Sequence, residues 1–160
     1  MSTSKSSSAS ANARINSNSR DPSITTTTTT STTTTAATIA SSDYVMYIVV
    51  NHSLAMGKGK IGAQVGHAVQ MVIEDLLQKH NVTSEQLKLY QAWRHAGNMA
   101  KIVLKADQEQ MLSLSSHKDA RVVHDAGRTQ IPAGSLTAIA FPPMLRNNDS
   151  QARFGSYGLL

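Results

Sequence analysis

The run Tyr44-Val45-Met46-Tyr47-Ile48-Val49-Val50 is apolar at every position. Successive side chains of a strand point to opposite faces, so such a run needs cover on both sides. It belongs in the middle of a sheet with helices above and below, not in a sheet with one wet face. The next residues agree with that placement. Asn51 to Ala55 is an exit loop, and Met56-Gly57-Lys58-Gly59-Lys60 is a glycine-rich turn carrying two lysines. Ile61, Val65, Ala68, Val69, Val72 and Leu76 then fall on one face of a helix, predicted over about Lys60 to Lys79. Gly62 and Gly66 sit inside it, four apart. Interior glycines cost roughly 0.5–1 kcal/mol each against alanine, which close packing of the helix on the sheet would explain.

A helix N-terminus presents unpaired N–H groups and the positive end of a dipole. Lysines beside it make a site for an anion, most simply a phosphate. The same turn also fits a solvated connection between strand and helix. It is not a Walker A loop, because no hydroxyl residue follows Lys58 or Lys60. Gly57, Gly59 and Gly62 have the spacing of a dinucleotide loop, but no acidic residue ends a second strand at the required distance.

Further along, Thr83 and Gln86 have capping-box spacing at the start of a second helix, which runs through Trp93 to a stop at Gly97. Trp93 reads as a core or interface anchor. Ala100 to Ala106 is a second strand, and Asp107 with Gln110 caps a short helix. Arg121 to Asp125 is a short third strand. A Gly- and Pro-dense loop leads to a fourth, Ser135 to Phe141, ended by Pro142-Pro143. Beyond it the chain is polar and aperiodic as far as Tyr157. The alternation of these four strands with helices predicts a layered α/β domain over residues 43–160.

Residues 1–42 differ in kind. They are rich in Ser, Thr, Asn and Ala, with a threonine run from Thr25 to Thr35, and hold almost no large apolar residues. Such a segment cannot bury enough surface to offset its ordering entropy, so a disordered tail is expected. Its Lys5, Arg14 and Arg20 give it a weak likeness to a mitochondrial transit peptide, but no amphipathic period is visible. The cytoplasm is the compartment expected, with the mitochondrion as the alternative. The chain has no cysteine, which fits a reducing compartment and excludes thiolate metal sites. No run approaches the ~18 apolar residues that cross a membrane. Net charge is +5; from Asp43 on, twelve Lys and Arg face nine Asp and Glu. That balance favours an acidic partner such as nucleic acid.

The second polar constellation is Asp125-Ala126-Gly127-Arg128-Thr129-Gln130. Asp125 supplies a carboxylate at a strand end, Arg128 a fixed cation, and Thr129 and Thr137 hydroxyls. Asp125 also fits a structural role, bonding nearby backbone N–H groups in a turn. Ligands of open α/β sheets sit beyond the carboxyl ends of strands. If the first and third strands run parallel, both constellations meet at one edge.

Taken together, Met56 to Lys60, Ala63-Gln64, His67-Ala68, Asp125 to Gln130, Pro132 and Gly134 resemble the archaeal and eukaryotic type of peptidyl-tRNA hydrolase. The likeness runs in order from about Val45 to Ala140. It implies cleavage of the ester between a stalled peptide and the 3′ ribose of tRNA, with peptidyl-tRNA as substrate. It implies a three-layer α/β/α fold with a four-stranded mixed sheet, a homodimer, no metal and no cofactor. By position it assigns Lys60, Asp125, Thr129 and Thr137 to catalysis. Gln64 and His67 lie nearby and are assigned to the substrate, as are Lys58 and Arg128, whose charges suit phosphates of the acceptor end; His67 fits a structural histidine at least as well as a proton carrier. His52, His80, His95, His117 and His124 have no ligand-like spacing and read as surface or packing.

The chain departs from the family in places. Asn51 and Ser53 stand where a basic and an acidic residue are usual, and Ala55 replaces a lysine. The segment from Asp107 to His124 is about six residues short, over a turn of helix. Phe141-Pro142-Pro143 replaces a Gly-Pro motif. These departures define a second reading: a non-catalytic module that holds tRNA or a protein on the same fold. Retention of Lys60 and Asp125 favours the enzyme.

Overall fold

A computed structural model describes residues 43–78 and 82–160. The expected tail, His80, and the expected helix end at Lys79 lie outside these residues. In chain order the elements are β1 (Tyr44–Asn51), a 3-10 turn (His52–Leu54), α1 (Lys58–Gln78), α2 (Ser84–His95), β2 (Lys101–Ala106), α3 (Gln108–Ser115), β3 (Arg121–His124), β4 (Leu136–Ala140), β5 (Met144–Leu145), α4 (Asn148–Phe154) and β6 (Gly158–Leu159).

β1 is buried at every position but its first. Its alternate residues feed two cores. Met46 and Ile48 pack with Ala68, Val72 and Leu76 of α1 and with Tyr90 and Trp93 of α2. Val45, Tyr47 and Val49 pack with Met111 and Leu114 of α3 and Phe154 of α4. The three layers arise from that alternation. Each fully buried Val or Leu contributes about 1.5–3 kcal/mol.

The sheet order is β3-β4-β1-β2-β6, with β5 paired to the start of β1. β2 lies parallel to β1, from Met46 facing Lys101 to Asn51 facing Ala106. β4 is antiparallel to both β1 and β3. β1 and β3 therefore point the same way, and their carboxyl ends share one edge. The four expected strands are present, and the sheet gains two short ones, β5 and β6.

Those two, with α4, occupy the stretch that sequence periodicity left without an element. α4 is only seven residues long, so it carries almost no period. Its signals are local: Asn147 caps it and Ser150 closes a capping box. Phe154 anchors it, stacked on Tyr47 with ring centroids 4.3 Å apart and set edge-on to Phe141 at 5.0 Å. The capping boxes Thr83/Gln86 and Asp107/Gln110 both form. Trp93 is core, 2% exposed, and its indole N–H donates to the Ala100 carbonyl at 2.7 Å.

Two expectations need correction. α1 begins at Lys58, so Lys60 is already inside the helix. Close packing does not explain Gly62 and Gly66. Both are exposed, and a Cβ added at either would meet nothing within 4 Å.

Candidate active site

Positions 60, 64, 68, 72 and 76 are spaced by four and form one ridge along α1. Ala68, Val72 and Leu76 are core. Gln64, 5% exposed, continues the ridge as a buried polar residue, and Lys60 ends it. The ridge that packs the helix on the sheet thus also carries two polar groups to the sheet edge. There they meet Asp125, the residue immediately after β3.

Lys60 Nζ lies 2.8 Å from Asp125 Oδ2, and both side chains are 8% exposed. Lys60 also donates to the Thr129 carbonyl at 2.8 Å and, at a longer 3.3 Å, to Thr129 Oγ1. Gln64 Nε2 donates to the same carboxylate oxygen, Oδ2, at 2.9 Å. The other oxygen, Oδ1, accepts the Gly127 N–H at 2.7 Å. Asp125 is therefore both a turn residue and half of an ion pair. The Lys60 ammonium is the main cause that holds its carboxyl below the ordinary range; the Gly127 N–H comes next, against a smaller opposing push from desolvation. A carboxylate has about four acceptor positions. Three are taken, which leaves one on Oδ1.

Behind Gln64 stands Thr137, fully buried. Its hydroxyl lies 2.7 Å from Gln64 Oε1 and 3.1 Å from the Val123 carbonyl. A hydroxyl has one proton, and the shorter contact gives it to Gln64. That bond turns the amide so that its NH₂ faces Asp125. Thr137 reaches this place through a bulge. Val123 faces Ala138 and His124 faces Leu136, so Thr137 is the extra residue on β4. Thr137 and Ala138 then share the α1 face, while Leu136 and Ile139 both enter the opposite core. No alternation pattern predicts that.

The loop after β3 is held from two sides. Gly127 has φ +75°, and a Cβ there would lie 2.5 Å from the Ala133 nitrogen. Only glycine fits. Gln130 has φ +64°, uncommon without glycine, and its side chain accepts the Gly57 N–H at 3.1 Å. It ties this loop to the lysine turn, a role that residue type alone did not signal. Asn51 is another such residue. It is fully buried, donates to the Leu136 carbonyl at 2.9 Å and to Gln108 Oε1 at 2.7 Å, and caps the 3-10 turn.

Lys60, Gln64, Asp125, Thr129, His67 and Arg128 all border one open groove of about 790 Å³. His67 and Arg128 are exposed on its wall. Lys58, the first residue of α1, is exposed but does not line the groove. Thr137 does not line the groove; it touches Gln64 from behind. Among the described residues, no three His, Asp or Glu side chains are grouped to hold a metal ion, and no helix is long and apolar enough to cross a membrane. A carboxylate kept ionised and facing an open groove can hold a water, and the ammonium beside it can stabilise an oxyanion.

The fold and the pair define an α/β/α protein with a lysine–aspartate ion pair at the edge where the carboxyl ends of β1 and β3 meet. The chain belongs to the family described as Peptidyl-tRNA hydrolase PTH2, whose profile matches residues 44–152. It is 35% identical over 108 residues to the human protein named peptidyl-tRNA hydrolase 2, mitochondrial, covering 64% of this chain and 57% of that one. It is 38% identical over 115 residues to a probable peptidyl-tRNA hydrolase 2 of Schizosaccharomyces pombe, covering 68% and 52%. A peptidyl-tRNA hydrolase of Sulfolobus acidocaldarius is 36% identical over 104 residues, covering 61% and 85%. The chain spans little more than half the length of the human and Schizosaccharomyces pombe relatives.

Proposed function

We propose that this protein is a peptidyl-tRNA hydrolase, cleaving the ester between a peptide and the tRNA 3′ ribose to release both. The observation that carries the reading is the Lys60–Asp125 pair at 2.8 Å, facing an open groove in a chain of this family. A carboxylate held below its usual range is a weak base at neutral pH. Its task is then to hold and aim the attacking water at its open Oδ1 position, accepting the proton as the new C–O bond forms. The carbonyl oxygen becomes an oxyanion, and the Lys60 ammonium stabilises it. The 3.3 Å contact to Thr129 Oγ1 is the bond Lys60 gives up for that oxyanion. The C–O bond to the ribose then breaks, and the 3′ oxygen leaves with the proton that Asp125 took from the water. Thr129 and Gln64 fix the two charged groups, and Thr137 fixes Gln64. His67 and Arg128 border the bound substrate. Lys58, outside the groove, contacts a phosphate of the acceptor end.

With this reading go a homodimer and action in the cytoplasm. The support for the dimer is the family likeness, and for the cytoplasm the cysteine-free composition. Residues 1–42 form a separate tail from the hydrolase domain, on their composition. The test is release of labelled N-acetyl-aminoacyl groups from tRNA by the purified chain. Release that Asp125→Asn abolishes supports the reading. Binding of tRNA without release replaces it with the non-catalytic module.

A further inference from the structure

The groove does not stop at Asp125. It continues along β3, bordered by Met71 and Glu74 of α1 and by Val122 and His124. β3 is the end strand of the sheet, and among the described residues only β4 pairs with it. Its backbone directions can be assigned. The Asp125 N–H donates to the Ser135 carbonyl, and the Val123 carbonyl lies 3.1 Å from the Thr137 hydroxyl, so both point toward β4. The bulge lies on β4, so β3 keeps its alternation. The N–H and C=O of Val122 and His124 therefore point outward. Those two residues also line a second hollow of about 470 Å³ on the other face, with Leu112 of α3 and Leu54. The outer edge of β3 is thus open from both faces. An exposed apolar residue flanks it on each side: Met71, 38% exposed, and Leu112, 57% exposed.

An open strand edge flanked by two side-chain hollows is the geometry for strand addition. Main-chain bonds supply affinity there, and alternate side chains enter the two hollows. What distinguishes this edge is its end point. β3 runs directly into Asp125, the residue that faces the scissile ester in the hydrolase reading, on which this inference rests. We propose that the peptide part of the substrate adds as a strand to the outer edge of β3. It runs parallel to β3, because its carboxyl end must lie at Asp125. Recognition is through its backbone, so it tolerates any sequence. The edge is four residues long, so about four peptide residues can engage it.

The test uses the full chain and tRNA esters carrying N-acetylated chains of one to six residues. The expected result is a kcat/KM that rises about tenfold by four residues and then levels, as a few backbone hydrogen bonds would give. N-methylating one amide of the tetrapeptide should cancel the gain, and methylating its neighbour should leave it. A second readout needs no turnover. The probe is an N-acetyl tetrapeptide joined by an amide to 3′-amino-3′-deoxyadenosine. It should slow hydrogen exchange at the Val122 and His124 amides and not at Val123. Val122→Pro, which removes an outward N–H, should lose the length gain while still cleaving the shortest ester. Cleavage with no length gain and no exchange protection overturns the edge while leaving the hydrolase reading intact. Protection without any cleavage keeps the edge and overturns that reading. If Val122→Pro turns a dimer into a monomer and the length gain persists, a second copy occupies β3, and the proposal is wrong.

Discussion

Asp125 is unusual in how completely its carboxylate is engaged. Lys60, Gln64 and the Gly127 N–H all donate to it, and they hold its pKa below the ordinary value of 3.8. A depressed folded-state pKa contributes stability that is present above the unfolded value and is lost as pH falls through the folded one. The native fold should therefore hold its Asp125 contribution throughout the neutral range and lose it only below pH 3.8. An NMR titration of the Asp125 carboxyl carbon checks this. Lys60→Met removes the largest cause, so the midpoint should move upward; an unmoved midpoint would mean that the pair is not what lowers it. Thr137 offers a second prediction. Thr137→Val keeps the shape but leaves Gln64 Oε1 without its donor in a buried place. It should cost about 1–3 kcal/mol in chemical denaturation and lower kcat by freeing the Gln64 amide to turn. If stability and kcat both stay at wild-type values, the hydroxyl does not orient Gln64. Lys60, Gln64, Asp125, Thr129 and Thr137 were legible in the sequence as a polar set, but Gln130 and Asn51 were not, nor was the order in which the set stands. Lys60 and Asp125 could be placed because one lies in the first turn of α1 and the other directly follows β3. Thr137 could not be set behind Gln64, because a bulge overrides the two-residue period.

The ridge along α1 is the element that makes the site. Spacing by four extends the core positions Leu76, Val72 and Ala68 to Gln64 and Lys60, and that much is written in the sequence. Helix starts with a capping box were equally legible, since the signal is local. α4 was not, because seven residues hold too few apolar positions to show a period. Its contribution comes from tertiary packing of Phe154 between Tyr47 and Phe141. Phe154→Ala should cost about 3–5 kcal/mol in denaturant unfolding, far more than loss of a seven-residue helix by itself. A loss under about 1 kcal/mol would mean that the aromatic cluster repacks.

For the whole molecule, the sheet is continuous from β3 to β6, and the described residues build a core on each of its faces. A protein starting at Asp43 should keep its fold and its hydrolysis of tRNA esters, measured by circular dichroism and ester release. Loss of either would give residues 1–42 a part in the domain. The net charge of +5 belongs to the same scale. Affinity for tRNA should fall as salt rises, and Lys58→Ala should reduce that slope by roughly one. An unchanged slope would remove Lys58 from the phosphate contacts.

The central claim is that Lys60 and Asp125 work as one unit on the ester. Its most direct measurement is single-turnover hydrolysis of N-acetyl-aminoacyl-tRNA by wild type, Lys60→Ala, Asp125→Asn and the double variant, with tRNA affinity measured beside it. Each single change should lower the rate by at least ~100-fold while affinity changes little, and the double variant should be scarcely slower than the worse single one. A near-normal rate for Asp125→Asn, or losses that simply multiply in the double variant, would contradict the account.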